Sequence, residues 1–211
     1  MGCFVRAAYP LMLDVSNRLV VIVGGGRVGA RKAKGLLDAG ATRVRVISPA
    51  FCESLPDGVE RIERPYASGD LQGASLAFAA TDRPDVNEAV VRDANGLGVL
   101  VNRADVNEEA PGDFTTPAAL REGELVVTVS AGSPALAATI RDGLRSRLDR
   151  KWAMMASAMR ELRPRIRDGG MSIERRRAAF RDLASDEAMD VLERDGIEAL
   201  WTWLERRGNK T

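Results

Sequence analysis

An α/β fold is predicted for this chain of 211 residues: a parallel sheet flanked by helices, then a small α+β segment, then a helical C-terminal region. Three observations predict it. Short apolar runs alternate with helical periodicity over about the first hundred residues, the pattern of βαβ units. The first run, Val20-Val21-Ile22-Val23, passes directly into a glycine turn and then into the helical stretch Arg31-Lys32-Ala33-Lys34-Gly35-Leu36-Leu37. From Arg150 onward the sequence is charged and helical, interrupted at Asp168-Gly169-Gly170 and restarting near Ser172.

The glycine turn reads Gly24-Gly25-Gly26-Arg27-Val28-Gly29, a G-x-G-x-x-G spacing between strand and helix. Gly24 permits the tight turn, Gly26 lets the backbone approach a pyrophosphate, and Gly29 lets the helix pack closely on the sheet. The first N–H groups of the helix, Arg27 and Val28 among them, would hold phosphate together with the helix dipole. The first unit therefore reads as a Rossmann-like dinucleotide site.

Thr42 to Ser48 forms the second strand, stopped by Pro49. Ser48 and Pro49 stand where a nucleotide ribose should sit, with Glu53 some residues later, and on these residues the choice between NAD and NADP is open. Val59 to Arg64 reads as a third strand and Leu76 to Thr81 as a buried fourth. Thr81 and Asp82 then contact the adenosine side of the cofactor, start the next helix, Asp85 to Ala94, by capping, or do both. The fifth strand is Val99 to Asn102. Because ligands bind beyond the carboxyl ends of parallel strands, Gly24 to Gly29, Ser48, Pro49, Thr81, Asp82 and Asn102 to Asp105 are expected along one rim.

Beyond Asp113 the pattern changes. Pro117 to Glu124 looks like a short helix or turn, and Leu125 to Ser130 is a strand. Ser133 and Pro134 then open a helix as N-cap and first residue, with Leu136, Ile140, Leu144 and Leu148 at helical spacing. The expected organisation is residues 1–113 for dinucleotide binding, 114–148 as the α+β segment and 149–211 as the helical region. Trp152, Met154, Met155 and Met159 are read as packing residues.

Composition narrows the function. Histidine is absent, which excludes a Ser-His-Asp hydrolase and histidine-ligated zinc. Cys3 and Cys52 are too few for a disulfide framework or a metal cluster, so no metal site is expected. A net charge of +1 gives no reason to invoke nucleic acid, and Lys32, Lys34, Lys151 and Lys210 are the only lysines among 31 cations. Arginine's fixed fork suits carboxylates and phosphates. No apolar run approaches the ~20 residues of a membrane span, and no secretory leader precedes the first strand, so a cytoplasmic protein is expected.

Asp105, leaving the fifth strand at the rim, is the strongest acid–base candidate, although most loop aspartates merely cap or solvate. Val129 to Pro134 forms a strand-to-helix corner with two hydroxyls, Ser130 and Ser133, suited to an anion. Capping accounts for Ser133 without any ligand.

These residues resemble a known family. Tyr9 to Leu13, Val23 to Lys32, Ala79-Ala80-Thr81-Asp82, Val86-Asn87, Val101-Asn102 with Asp105, Asp113-Phe114 with Pro117, and Ser130 with Gly132-Ser133-Pro134 look like the precorrin-2 dehydrogenase/sirohydrochlorin ferrochelatase family, the N-terminal module of siroheme synthases. The match runs in order over roughly residues 9 to 148, far beyond the glycine motif alone. The resemblance implies NAD-dependent oxidation of precorrin-2 to sirohydrochlorin, followed in bifunctional members by insertion of ferrous iron. It matches Asp105 to the family's acid–base aspartate and makes Arg103, Ser130 and Ser133 candidates for binding the tetrapyrrole carboxylates. It also implies a homodimer that pairs through residues 114 to 148. The sequence departs from relatives with a Ser-Ser-Gly-Gly-Thr-Ser-Pro loop, reading Ser130-Ala131-Gly132-Ser133-Pro134 here, and the methyltransferase domain that some siroheme synthases carry is not expected. The alternative from another class is a non-catalytic NAD-sensing regulatory module, which would need neither Asp105 nor a tetrapyrrole cleft.

Overall fold

Extended runs of Val, Ile, Leu and Ala buried from both sides satisfy their backbone by pairing with one another. In the computed structural model, which describes residues 9–105 and 112–208, they do so as β1 (Leu19–Val23), β2 (Arg43–Ser48), β3 (Glu60–Glu63), β4 (Leu76–Ala79) and β5 (Leu100–Arg103). The strands lie in the order β3-β2-β1-β4-β5 and all are parallel, with Val20 opposite both Val44 and Leu76. Strand period assigns the two faces. Val20, Ile22, Val44, Val46 and Phe78 pack with Ala30 and Ala33 of α1 (Arg27–Leu37). Val21, Val23, Ala77, Ala79 and Val101 pack with Val90, Val91 and Ala94 of α2 (Pro84–Leu97). The strand order reverses between β1 and β4, which opens a crevice beyond their carboxyl ends.

The chain divides into two units, Met1–Thr116 and Pro117–Thr211. The second contains β6 (Ala118–Glu122), β7 (Leu125–Val129), α3 (Pro134–Arg145), α4 (Arg150–Asp168), α5 (Ile173–Leu183) and α6 (Asp186–Gly208). Residues 117–124 are therefore not the short helix or turn expected from their composition. Ala118 to Glu122 pair antiparallel with Leu125 to Val129, joined through Gly123, whose φ of +57° suits the first central position of a two-residue hairpin. The ladder overrides the helical preference of Ala, Leu, Arg and Glu, and Leu120 is buried beneath it.

The helix starts follow their caps. Ser133 accepts from the Leu136 N–H (3.2 Å), Asp149 from Lys151 (2.9 Å) and Ser172 from Arg175 (3.2 Å). Gly170, at φ +72°, ends the stretch before α5. Met155, Leu162, Ile166, Leu183, Leu200 and Leu204 form the core of α4, α5 and α6, with Met159 against it, whereas Trp152 and Met154 lie on the surface of this unit. Leu162→Ala is expected to destabilise the second unit by about 2–5 kcal/mol, read as a lower denaturant midpoint. Among the described residues, no helix is long and apolar enough to cross a membrane, and no cluster of metal-ligating side chains is present. Cys52 is a free thiol, and Cys3 lies outside the described residues.

Candidate functional site at the carboxyl edge of the sheet

The glycine turn separates packing from access. Gly24 adopts φ +120°, and a Cβ there would run into the Ala80 carbonyl. A Cβ on Gly29 would collide with the Gly24 carbonyl, so the close approach of α1 to β1 depends on these two positions. Gly26 differs: its backbone is extended (φ −79°, ψ −173°) and a Cβ would meet no atom within 4 Å. It is also the N-cap of α1, with no side-chain cap and no acidic residue in the first turn, unlike the Ser- and Asp-capped α3, α4 and α5. Arg27 is exposed and Val28 half-buried. The open cradle and the uncapped N–H groups fit a dinucleotide pyrophosphate.

The other rim residues come from three strand ends. Ser48 is buried at the end of β2 and Pro49 is exposed. Thr81 does not cap α2, whose N-cap is Arg83 followed by Pro84. Its N–H and hydroxyl instead donate to Asn87 Oδ1 (3.1 and 2.7 Å), and Asn87 Nδ2 donates back to the Thr81 carbonyl at 3.0 Å. Asp82 is exposed. Asn102 donates through Nδ2 to the Phe114 carbonyl at 2.7 Å, a contact that sets the orientation of the amide. Its Oδ1 is buried and has no hydrogen-bond partner among the described residues, which costs about 1–3 kcal/mol.

Asp105 lies just past the end of β5, two residues beyond Arg103. Arg103 Nε and Nη2 reach Oδ1 and Oδ2 of Asp105 at 2.6 and 3.0 Å. The Arg103 side chain is 1% exposed and that of Asp105 27%, so the carboxylate is the accessible half of the pair. The guanidinium holds the Asp105 carboxyl below the usual carboxylate value; partial burial opposes this, and a hydrogen bond from Asn87 adds to it. Arg103, expected as a tetrapyrrole contact, is thus directed onto a carboxylate of its own chain.

Two further residues of this region were not among those expected. Asn87 occupies the buried stripe of α2 with Val90, Val91 and Ala94; a polar residue in an otherwise apolar stripe is the sequence signal that marks it. Lys32 lies 5.5 Å from the Phe78 ring centroid and donates to the Thr116 hydroxyl, while Phe78 meets Phe114 edge-on at 5.4 Å. Burial lowers the Lys32 ammonium to about 8. Ser130 and Ser133 belong to the second unit, Ser130 exposed at the end of β7 and Ser133 committed to capping α3.

A parallel sheet with a glycine-rich first turn and an uncapped helix start defines a dinucleotide-binding domain of Rossmann-like architecture. A family model described as NAD(P)-binding matches residues 11–118, and the chain belongs to that family, whose cofactor is a nicotinamide dinucleotide. Siroheme synthases are similar: that of Stutzerimonas stutzeri (strain A1501) is 35% identical over 181 residues, covering 82% of this chain and 38% of the relative. That of Pseudomonas aeruginosa (strain UCBPP-PA14) is 36% identical over 185 residues, covering 84% and 39%. The chain spans less than two fifths of the length of these relatives. A solved structure described as SirC, precorrin-2 dehydrogenase, matches with a TM-score of 0.76 at 25% identity, covering 94% of this chain and all of that one.

Proposed function

We propose that the chain is an NAD-dependent precorrin-2 dehydrogenase that forms sirohydrochlorin, and that it also inserts ferrous iron to give siroheme. The observation that carries this reading is the accessible, ionised Asp105 carboxylate on the same sheet edge as an open pyrophosphate cradle, in a chain similar over its length to a precorrin-2 dehydrogenase. A bound nicotinamide supplies the acceptor for the hydride. Asp105 takes the proton that the substrate releases, and in the second step it takes protons from the pyrrole nitrogens that will bind iron. Gly26, Arg27 and Val28 hold the pyrophosphate through backbone N–H groups, with Gly24 and Gly29 shaping the turn. Ser48, Pro49, Thr81, Asp82 and Asn102 line the cofactor. The Ser130 hydroxyl and the backbone N–H groups of the Ser130–Ser133 corner are the candidates for contact with the tetrapyrrole carboxylates.

NAD is favoured over NADP because the loop from Ser48 to Ser54 carries no lysine or arginine for a 2′-phosphate and does carry Glu53. Turnover with NAD is expected to exceed that with NADP by ~10-fold or more at equal concentrations, equivalent to ~1.4 kcal/mol. A homodimer is supported by Leu136, Ile140 and Leu144, which project from one face of α3 at 50%, 40% and 38% exposure. A cytoplasmic location belongs to the same reading.

The test is anaerobic incubation of the purified protein with precorrin-2 and NAD, following sirohydrochlorin by absorbance, then addition of ferrous iron. NAD-dependent formation of sirohydrochlorin supports the dehydrogenase, and iron insertion faster than in a protein-free control supports the chelatase. Dinucleotide binding without turnover would overturn the enzymatic reading in favour of an NAD sensor.

A further inference from the structure

We propose that Arg103 is the positioning residue for Asp105: its buried guanidinium, forked across both carboxylate oxygens, sets the direction in which the proton-accepting group faces the substrate. This rests on the reading of Asp105 as proton acceptor given above. Asp105 follows the last residue of β5 by two positions, and its carboxylate lies directly against the Arg103 guanidinium. The intervening Ala104 is anchored by donating its N–H to the Ala79 carbonyl at 2.9 Å, the last bond of the β4–β5 ladder. The fork makes two charge-assisted bonds, at 2.6 and 3.0 Å, and a fork fixes both the position and the plane of a carboxylate where a lysine would fix only its distance. Asn87 of α2, itself clasped by Thr81, adds to the preference of Asp105 for its ionised form.

The exposures divide the labour. At 1% exposed, the Arg103 side chain is an inner support rather than a surface for substrate carboxylates, while Asp105 keeps an accessible edge. The charged groups acting on the pair among the described residues are Arg103 from β5 and, on Arg103, Glu88 from α2. A carboxylate so held stays ionised through the neutral range and is a weak base. It is matched to an acidic donor, such as a macrocycle that has become cationic on losing a hydride; the proton then passes to Asp105 and charge balances.

The experiment compares Arg103→Gln, Arg103→Lys and Asp105→Asn in the full chain, reading kcat, KM, the pH profile of kcat/KM for precorrin-2 oxidation, dinucleotide affinity and thermal midpoint. Arg103→Gln is expected to lower kcat by about 10- to 100-fold with dinucleotide affinity unchanged. The acidic limb of its profile should move to higher pH, because Asp105 must be ionised to accept a proton and loses the cation that favours ionisation. Arg103→Lys should restore the acidic limb but not the parental kcat. A folded Arg103→Gln with parental kcat and acidic limb overturns the proposal. Should Arg103→Gln fail to fold, a parental kcat in Arg103→Lys overturns it equally. Full turnover in Asp105→Asn would instead overturn the role of Asp105 itself, a separate outcome.

Discussion

Asp105→Asn is expected to lower kcat for NAD-dependent oxidation of precorrin-2 by about 10²- to 10⁴-fold, the usual range for loss of a positioned proton acceptor. Dinucleotide affinity should stay within about twofold, or ~0.4 kcal/mol, of the parent, because Asp105 leaves the end of β5 whereas the pyrophosphate cradle lies between β1 and α1. Asparagine preserves the size of the side chain and removes its charge. Arg103 then loses its ionised partner Asp105, and a thermal midpoint lower by a few degrees is expected. Turnover assays, titration calorimetry with NAD and thermal unfolding together separate chemistry from folding. Unchanged turnover would remove Asp105 from the mechanism and leave the cofactor site untouched.

Gly26→Ala should weaken dinucleotide binding by about 10- to 100-fold, or about 1.4–2.8 kcal/mol, with little change in thermal midpoint. The added methyl group meets no protein atom within 4 Å, and φ −79° is accessible to alanine, so its neighbour in conflict is the bound pyrophosphate. Gly29→Ala should behave differently: its methyl group collides with the Gly24 carbonyl, and the packing of α1 on β1 suffers along with binding. Calorimetric titration and thermal unfolding of the two variants distinguish a phosphate cradle from an ordinary strand-to-helix turn. Parental affinity in Gly26→Ala would exclude the cradle.

Much of this architecture is legible in the sequence. The strands of the parallel sheet stand out because burial on both faces leaves almost no polar residue in Val20 to Val23 or Leu76 to Ala80. Ser133 and Pro134 announce α3, and Ser172 announces α5, because a capping hydroxyl bonds to a backbone N–H only a few residues away. The hairpin strand β6 is not legible. Ala118, Ala119, Leu120, Arg121 and Glu122 are good helix formers, and only the ladder to β7 makes them a strand. Periodicity marks Asn87 as a polar residue in a buried stripe but does not name its partner, because Thr81 lies before the start of α2, outside the reach of the helical repeat.

The sequence by itself determined the parallel α/β fold, the glycine turn and the rim on which Asp105 lies. These follow from local chemistry and from one rule of topology: burial period, backbone freedom at glycine, capping, and the common direction of parallel strands. Only the tertiary structure decided what the rim side chains do. It turned Arg103 onto Asp105, closed Asn87 around Thr81, and left Asn102 Oδ1 without a donor among the described residues. Period 2 assigns a side chain to a face of the sheet, but its partner there is set by the packing of elements distant in the chain.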